Sequence, residues 1–371
     1  RAEVEPNNTV RDVQRIAPPV IINGLISRPG DVDVFRFEGR AGEEVVAEVY
    51  ARRLGSPLDS LLRLTDASGR VLAWNDDHED REARLLTHHA DSYLSTRLPK
   101  TGTYFVRLAD SQQHGGDSYA YRLRVGPRRP DFAVRVTPSS ANMRGLPVAP
   151  LCVHVLRRDG FNDEIEVVLK DAPPGFTLSG GRVPSGRDSV RITLAAPPRQ
   201  IDGPVALQLE ARARIGGTMV VRPVVPADDM MQAFAYRHLV PARELLVAIG
   251  GAARYAPPIG LADAGPVRIP VGGTAQVRVN APRRPALSAI RLELFEPPKG
   301  VILEDVTVEP DGLTLVLKAD AGAPKAGYAD NLIVEAFTEM AGGPQNGRAA
   351  NRGRRLSLGV LPAIPFEIIQ R

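Results

Sequence analysis

The chain has 371 residues, 43% hydrophobic and 24% charged, more than a single core accommodates, so two or three domains are expected. Its net charge is +4, yet the basic residues are scattered among acids and clusters such as Arg128-Arg129 and Arg283-Arg284 carry no interleaved aromatics, which argues against a nucleic-acid surface. With 33 Pro and 34 Gly, long helices are disfavoured, and no apolar run reaches membrane-spanning length.

The single cysteine, Cys152, rules out an intrachain disulfide, and its place in Leu151-Cys152-Val153-His154-Val155 suits a small hydrophobe in a strand. The chain opens at Arg1 without Met or a signal-peptide pattern, and it is expected to be a piece of a longer protein with further domains.

The opening stretch, Glu3-Val4-Glu5-Pro6-Asn7-Asn8-Thr9, is rich in oxygen-bearing side chains, and Asp31 and Asp33 stand at the mouth of the alternating strand Val34-Phe35-Arg36-Phe37. Hard cations such as Ca²⁺ take six to eight oxygens from carboxylates and amides on bendable loops, so the two segments are candidates to meet around one ion. The alternative is a solvated tail beside an ordinary Asp turn.

From residue 10 to 127, short alternating runs are separated by Gly, Pro and Asp: Val20–Ile26, Val34–Phe37, Glu44–Tyr50, Leu61–Leu64, Tyr93–Leu98, Tyr104–Leu108 and Tyr119–Val125. That spacing predicts a β-sandwich or jelly roll. Four motifs in order carry a family resemblance: Glu3 to Asn8, Pro29-Gly30-Asp31-Val32-Asp33-Val34-Phe35, Leu62 to Ala73, and Gly102-Thr103-Tyr104-Phe105-Val106-Arg107-Leu108. Residues 1–127 resemble the bacterial pre-peptidase C-terminal (PPC) domain, a β-sandwich appended to secreted peptidases and other exported proteins that includes the collagen-binding modules of bacterial collagenases. The resemblance implies Ca²⁺ as the cofactor and Glu3, Glu5, Asn7, Asn8, Asp31 and Asp33 as its oxygen donors.

After Arg128-Arg129-Pro130 a new series of alternating strands begins at Asp131 and includes Leu151–Leu156, Ile165–Leu169, Val190–Leu194 and Val205–Ala211. It resembles the immunoglobulin-like sandwiches of large bacterial surface proteins. Residues 226–250 are read as a loop, with a short helix capped by Asp228-Asp229 as the alternative, followed by a closing strand Glu244–Ile249. Pro173-Pro174-Gly175 followed by Val190–Leu194 has a counterpart in Pro297-Pro298-Lys299-Gly300 followed by Leu313–Leu317, so two sandwiches of similar design are expected in tandem. The expected fold is all-β: a jelly-roll-like domain over 1–127 and immunoglobulin-like domains over 131–250 and 257–371, the last with a polar loop from Gly342 to Gly353.

A second metal candidate lies where Asp76 and Asp77 of Trp74-Asn75-Asp76-Asp77-His78-Glu79-Asp80 face Asp91 and either His88 or His89. Asp91 with carboxylate neighbours suits Ca²⁺, and His89 would instead favour a transition metal; the alternative is a polar loop packed under Trp74. Tyr119 and Tyr121 share one strand face, as a recognition platform if that face is outward and as core if inward. No Gly-x-Ser-x-Gly elbow, His-Glu-x-x-His or phosphate loop occurs, so no catalytic residue is assigned.

These features together lead to the expectation of a non-catalytic accessory module of a secreted, cell-surface or periplasmic bacterial protein. It is expected to be calcium-stabilised and to bind an extracellular protein or polysaccharide. The rival expectation is a structural spacer or a processed C-terminal extension of a secreted peptidase.

Overall fold

The alternating runs become strands throughout. A computed structural model describes residues 1–78, 91–197, 203–232, 236–251, 260–263, 265–280, 290–322, 324–340 and 354–370, and the fold is all-β, built as tandem β-sandwiches. Among the described residues the helical elements are confined to short 3₁₀ turns such as Arg52–Leu54, and no helix is long and apolar enough to cross a membrane. The chain divides into two compact units, residues 1–130 with 158–160, and residues 131–157 with 161–371.

Among its described residues the first unit contains nine strands: β1 (Gln14–Arg15), β2 (Val20–Leu25), β3 (Val32–Gly39), β4 (Glu44–Tyr50), β5 (Ser60–Asp66), β6 (Val71–Asn75), β7 (Tyr93–Arg97), β8 (Gly102–Asp110) and β9 (Ala120–Gly126). They form two sheets, ordered β1-β3-β8-β5-β6 and β2-β9-β4-β7. Period-2 alternation sends Phe35, Phe37, Val106, Leu108, Leu62 and Leu64 from one sheet, and Ile22, Val49 and Leu123 from the other, into a shared core. Each such side chain contributes about 2 kcal/mol of burial free energy. The N-terminal segment continues the second sheet beyond β2: Glu3 N–H donates to the Asn23 carbonyl at 2.9 Å, and Asn23 N–H donates to the Arg1 carbonyl at 2.9 Å. On the opposite sheet, Val34 N–H donates to the Asn7 carbonyl at 2.9 Å. One short segment thus touches both sheets.

In the second unit one pairing scheme occurs twice. Asp131–Thr137 runs parallel to Thr218–Gln232, Val148–Arg158 pairs antiparallel with Ser189–Ala195, and Ile165–Lys170 with Val205–Ile215. Further along, Val267–Pro270 runs parallel to Ile364–Ile369, Thr274–Asn280 pairs antiparallel with Gly312–Ala319, and Ile290–Leu294 with Val334–Met340. The repeated Pro-Pro turns end alike, in Gly175 at φ 92° and Gly300 at φ 87°, a left-handed geometry that glycine adopts without steric cost. Each half has its own core, around Phe132, Leu151 and Ile192 in one and Leu315, Leu317 and Phe366 in the other.

The two cores of this unit are bridged. Val148, Ile333, Val360 and Ala363 form a buried cluster between them, Asn331 Nδ2 donates to the carbonyls of Gly180 at 2.7 Å and Arg191 at 2.8 Å, and Ala363 N–H donates to Thr193 Oγ1 at 2.7 Å.

One segment departs from its sequence reading. Residues 226–232 are neither loop nor helix: they finish the strand Thr218–Gln232, whose end pairs with Tyr236–Pro241 from Ala227↔Pro241 to Gln232↔Tyr236. Asp228 caps no helix, because its carboxylate accepts Ser139 N–H at 3.0 Å and Ser139 Oγ–H at 2.9 Å. The closing strand is present as Leu245–Ile249. Pro257 and the loop Gly342 to Gly353 lie outside the described residues.

Candidate metal centre at the N-terminus

Four of the six expected donors come together. Carboxylate oxygens of Glu3, Glu5 and Asp33 lie within 4.8 Å of one another. Asp33 follows the inward register of Phe35 and Phe37 on β3 and is fully buried, while the other two acids arrive on the N-terminal segment. Asn7, also fully buried, donates from Nδ2 to Glu3 Oε1 at 2.8 Å and from its backbone N–H to Glu5 Oε2 at 2.9 Å. Glu3 is fixed further by Leu25 N–H, which donates to Oε2 at 2.8 Å.

The remaining two donors serve a neighbouring turn instead. Asn8 Nδ2 donates to Asp31 Oδ1 at 2.6 Å, and Asp31 Oδ2 accepts Ser27 N–H and Oγ–H, both at 2.8 Å. Val32 N–H completes the set at 3.1 Å to Oδ1. Both Asp31 oxygens are hydrogen-bonded within the loop entering β3, so Asn8 and Asp31 stand beside the carboxylate group of Glu3, Glu5 and Asp33 rather than within it.

Tyr121 supplies a residue that the donor pattern did not include. Its hydroxyl donates to Asp33 Oδ2 at 2.6 Å and lies 3.2 Å from Glu3 Oε1, and its ring is buried in the core. The recognition role considered for Tyr121 therefore gives way to an inward one; Tyr119 likewise packs, half-buried, against the same core. The signal was present in the alternation, since Tyr121 shares its face with Leu123 and Val125. Gly24 makes room for this arrangement: a Cβ there would lie 2.3 Å from the Tyr121 hydroxyl oxygen and 2.6 Å from Glu3 Oε2.

The electrostatics of the group are those of crowded acids. Burial, then the hydrogen bond and charge of Glu3, push the Asp33 carboxyl up to about 9. Burial, then the charges of Asp33 and Glu3, hold the Tyr121 phenol well above its ordinary range, so it remains a donor. Two buried oxygens, Asn7 Oδ1 and Asp33 Oδ1, have no hydrogen-bond partner, although buried polar atoms are normally satisfied. Three carboxylates and an amide oxygen, among which Asn7 Oδ1 and Asp33 Oδ1 are the unsatisfied acceptors, fit a hard divalent cation, whose charge would replace a shared proton and engage the orphaned oxygens.

The second metal candidate is arranged differently. Asp91 Oδ1 accepts the N–H groups of Ala51 at 2.9 Å and Arg52 at 2.7 Å, and Oδ2 accepts Arg53 N–H at 3.2 Å and Nε–H at 2.7 Å. It caps the Arg52–Leu54 turn and pairs with Arg53. Asp76 and Asp77 are exposed, Asp77 N–H donates to Asp76 Oδ1 at 3.0 Å, and His88 and His89 lie outside the described residues. Trp74 is 59% exposed.

No family model matches the chain. Over 108 residues, 28% of this chain, it is 38% identical to a probable subtilase-type serine protease of Deinococcus radiodurans, and it spans 14% of that relative's length. Among solved structures, a marsupial T cell receptor aligns with 61% of this chain and 100% of its own at 11% identity, with a TM-score of 0.19, too low to carry an argument.

Proposed function

We propose that residues 1–127 form a PPC-like, calcium-stapled and non-catalytic accessory module of an exported, peptidase-related protein. The observation that carries this reading is the cluster of Glu3, Glu5 and Asp33 with the unpartnered buried oxygens of Asn7 and Asp33. Ca²⁺ would be held by these four residues and would supply positive charge that ties the N-terminal segment to β3. The partial identity to a probable subtilase-type protease supports an association with a peptidase and an extracellular setting. It gives no support for catalysis by this chain, whose sequence lacks the nucleophile elbow and the metalloprotease motif.

Thermal unfolding with EDTA, with Ca²⁺ and with Mg²⁺ tests the reading. A ligand that binds only the folded state at a hundred times its Kd adds about 2.7 kcal/mol. Ca²⁺ is expected to raise the midpoint of the parent, with Mg²⁺ less effective because it demands a tighter octahedron. Glu5→Gln and Asp33→Asn are expected to lose the Ca²⁺ response, whereas Asp31→Asn lowers the midpoint but keeps the response. A parent midpoint that ignores Ca²⁺ removes the staple and leaves a structural spacer as the better account.

A further inference from the structure

On the face of the sheet β1-β3-β8-β5-β6 opposite the core, Val34, Phe105 and Thr65 are buried, Arg107 is half-buried and Arg63 and Trp74 are exposed, and among the described residues this face carries more positive charge than its own acids balance. Strand register aligns Val34, Arg107, Arg63 and Trp74 in one row across four strands. The adjacent row is Arg15, Arg36, Phe105, Thr65 and Val71. Arg63 and Arg107 are thus direct cross-strand neighbours on two interior strands, an arrangement of like charges that costs stability.

Arg36 is balanced by Glu38 at 2.9 Å. Arg63 and Arg107 have no acidic partner among the described residues, and the Arg107 Nε is buried without an acceptor. At the end of the same row stands Trp74, the chain's sole tryptophan and 59% exposed. Neither arginine covers its ring, since the cation–π pairs among the described residues lie elsewhere.

We infer that this face binds an acidic polysaccharide, with uronate carboxylates on Arg63 and Arg107 and a sugar ring on Trp74. Guanidinium forks take carboxylates bidentately, and an exposed aromatic with an amphipathic edge suits a pyranose face. Adjacent strands lie about 4.8 Å apart, so the two forks and the indole make a linear series along the row. An acidic peptide fits less well. Extended peptides gain affinity from main-chain hydrogen bonds at a sheet edge, whereas the backbones of β8 and β5 are already paired on both sides. The inference rests on the accessory-module reading but not on calcium, because the row contains none of the four metal-site residues.

The test is titration of the full chain with short galacturonate oligomers, read by Trp74 fluorescence and by calorimetry, in Ca²⁺-free buffer below the melting midpoint. Saturable binding is expected, absent for the methyl-esterified oligomers and weakened by salt. Arg63→Gln and Arg107→Gln should each weaken it roughly tenfold or more without lowering the thermal midpoint, since each relieves a like-charge pair. Trp74→Ala should abolish the calorimetric signal while the chain stays folded. Equal binding of the methyl esters, poly-glutamate binding that survives Trp74→Ala, or no saturable binding would overturn the proposal. Failure of the calcium staple appears separately, as a melting midpoint indifferent to Ca²⁺.

Discussion

Asp33 is the residue on which the first unit's chemistry turns. Its carboxyl ionises near 3.8 in the ordinary case and near 9 here, with burial as the chief cause. Between those values the metal-free folded state holds a proton that the unfolded state has released. The Asp33 contribution to stability is therefore fully present below pH 3.8 and declines as pH rises towards 9. On the calcium-staple proposal, Ca²⁺ would compete with that proton. Its apparent affinity is expected to rise with pH over the same window, and binding near neutrality is expected to release up to one proton. Calorimetric titration in buffers of different ionisation enthalpy measures that release directly; a binding enthalpy independent of the buffer would mean that no proton leaves.

At the scale of elements, the turn after β4 depends on one acid from the distant start of β7. The Asp91 carboxylate is nearly inaccessible and receives three backbone N–H groups and the Arg53 side chain. Arg53 also pairs with Glu48 at 3.1 Å and lies over the Tyr50 ring at 3.9 Å. Removing one partner of such a buried pair strands the other and costs about 3 kcal/mol or more. Asp91→Ala is expected to lower stability by about that amount in both EDTA and Ca²⁺, whereas loss confined to Ca²⁺ would make Asp91 a metal ligand after all. Denaturant titration under the two conditions separates these outcomes.

For the whole molecule, two compact units imply two unfolding transitions. Scanning calorimetry of the full chain is expected to show one transition that moves with Ca²⁺, from the first unit, and one that does not. Within the second unit, Asn331 and Thr193 join the two cores through buried hydrogen bonds. Asn331→Ala leaves the Gly180 and Arg191 carbonyls without their donor, which costs about 1–3 kcal/mol. That substitution is expected to lower or split the Ca²⁺-insensitive transition and to leave the other in place.

Outside 226–232, the sequence by itself determined most of the strands, because period-2 alternation and Gly/Pro punctuation are local properties. It also revealed the duplicated design of the second unit, since the Pro-Pro turns at 173 and 297 and the strands around them recur as a unit. The acids at 3, 5 and 33 were legible as oxygen-bearing side chains on two segments that could meet. Tertiary structure decided which donors converge: Asp31 and Asp33 are two residues apart, yet one oxygen set is consumed by the Ser27 turn and the other faces Glu3 and Tyr121. It also decided that 226–232 is strand, because its partner Tyr236–Pro241 satisfies its backbone only once the hairpin closes. The row of Arg107, Arg63 and Trp74 was invisible in one dimension for the same reason: β8, β5 and β6 are adjacent only through pairing between strands distant in sequence.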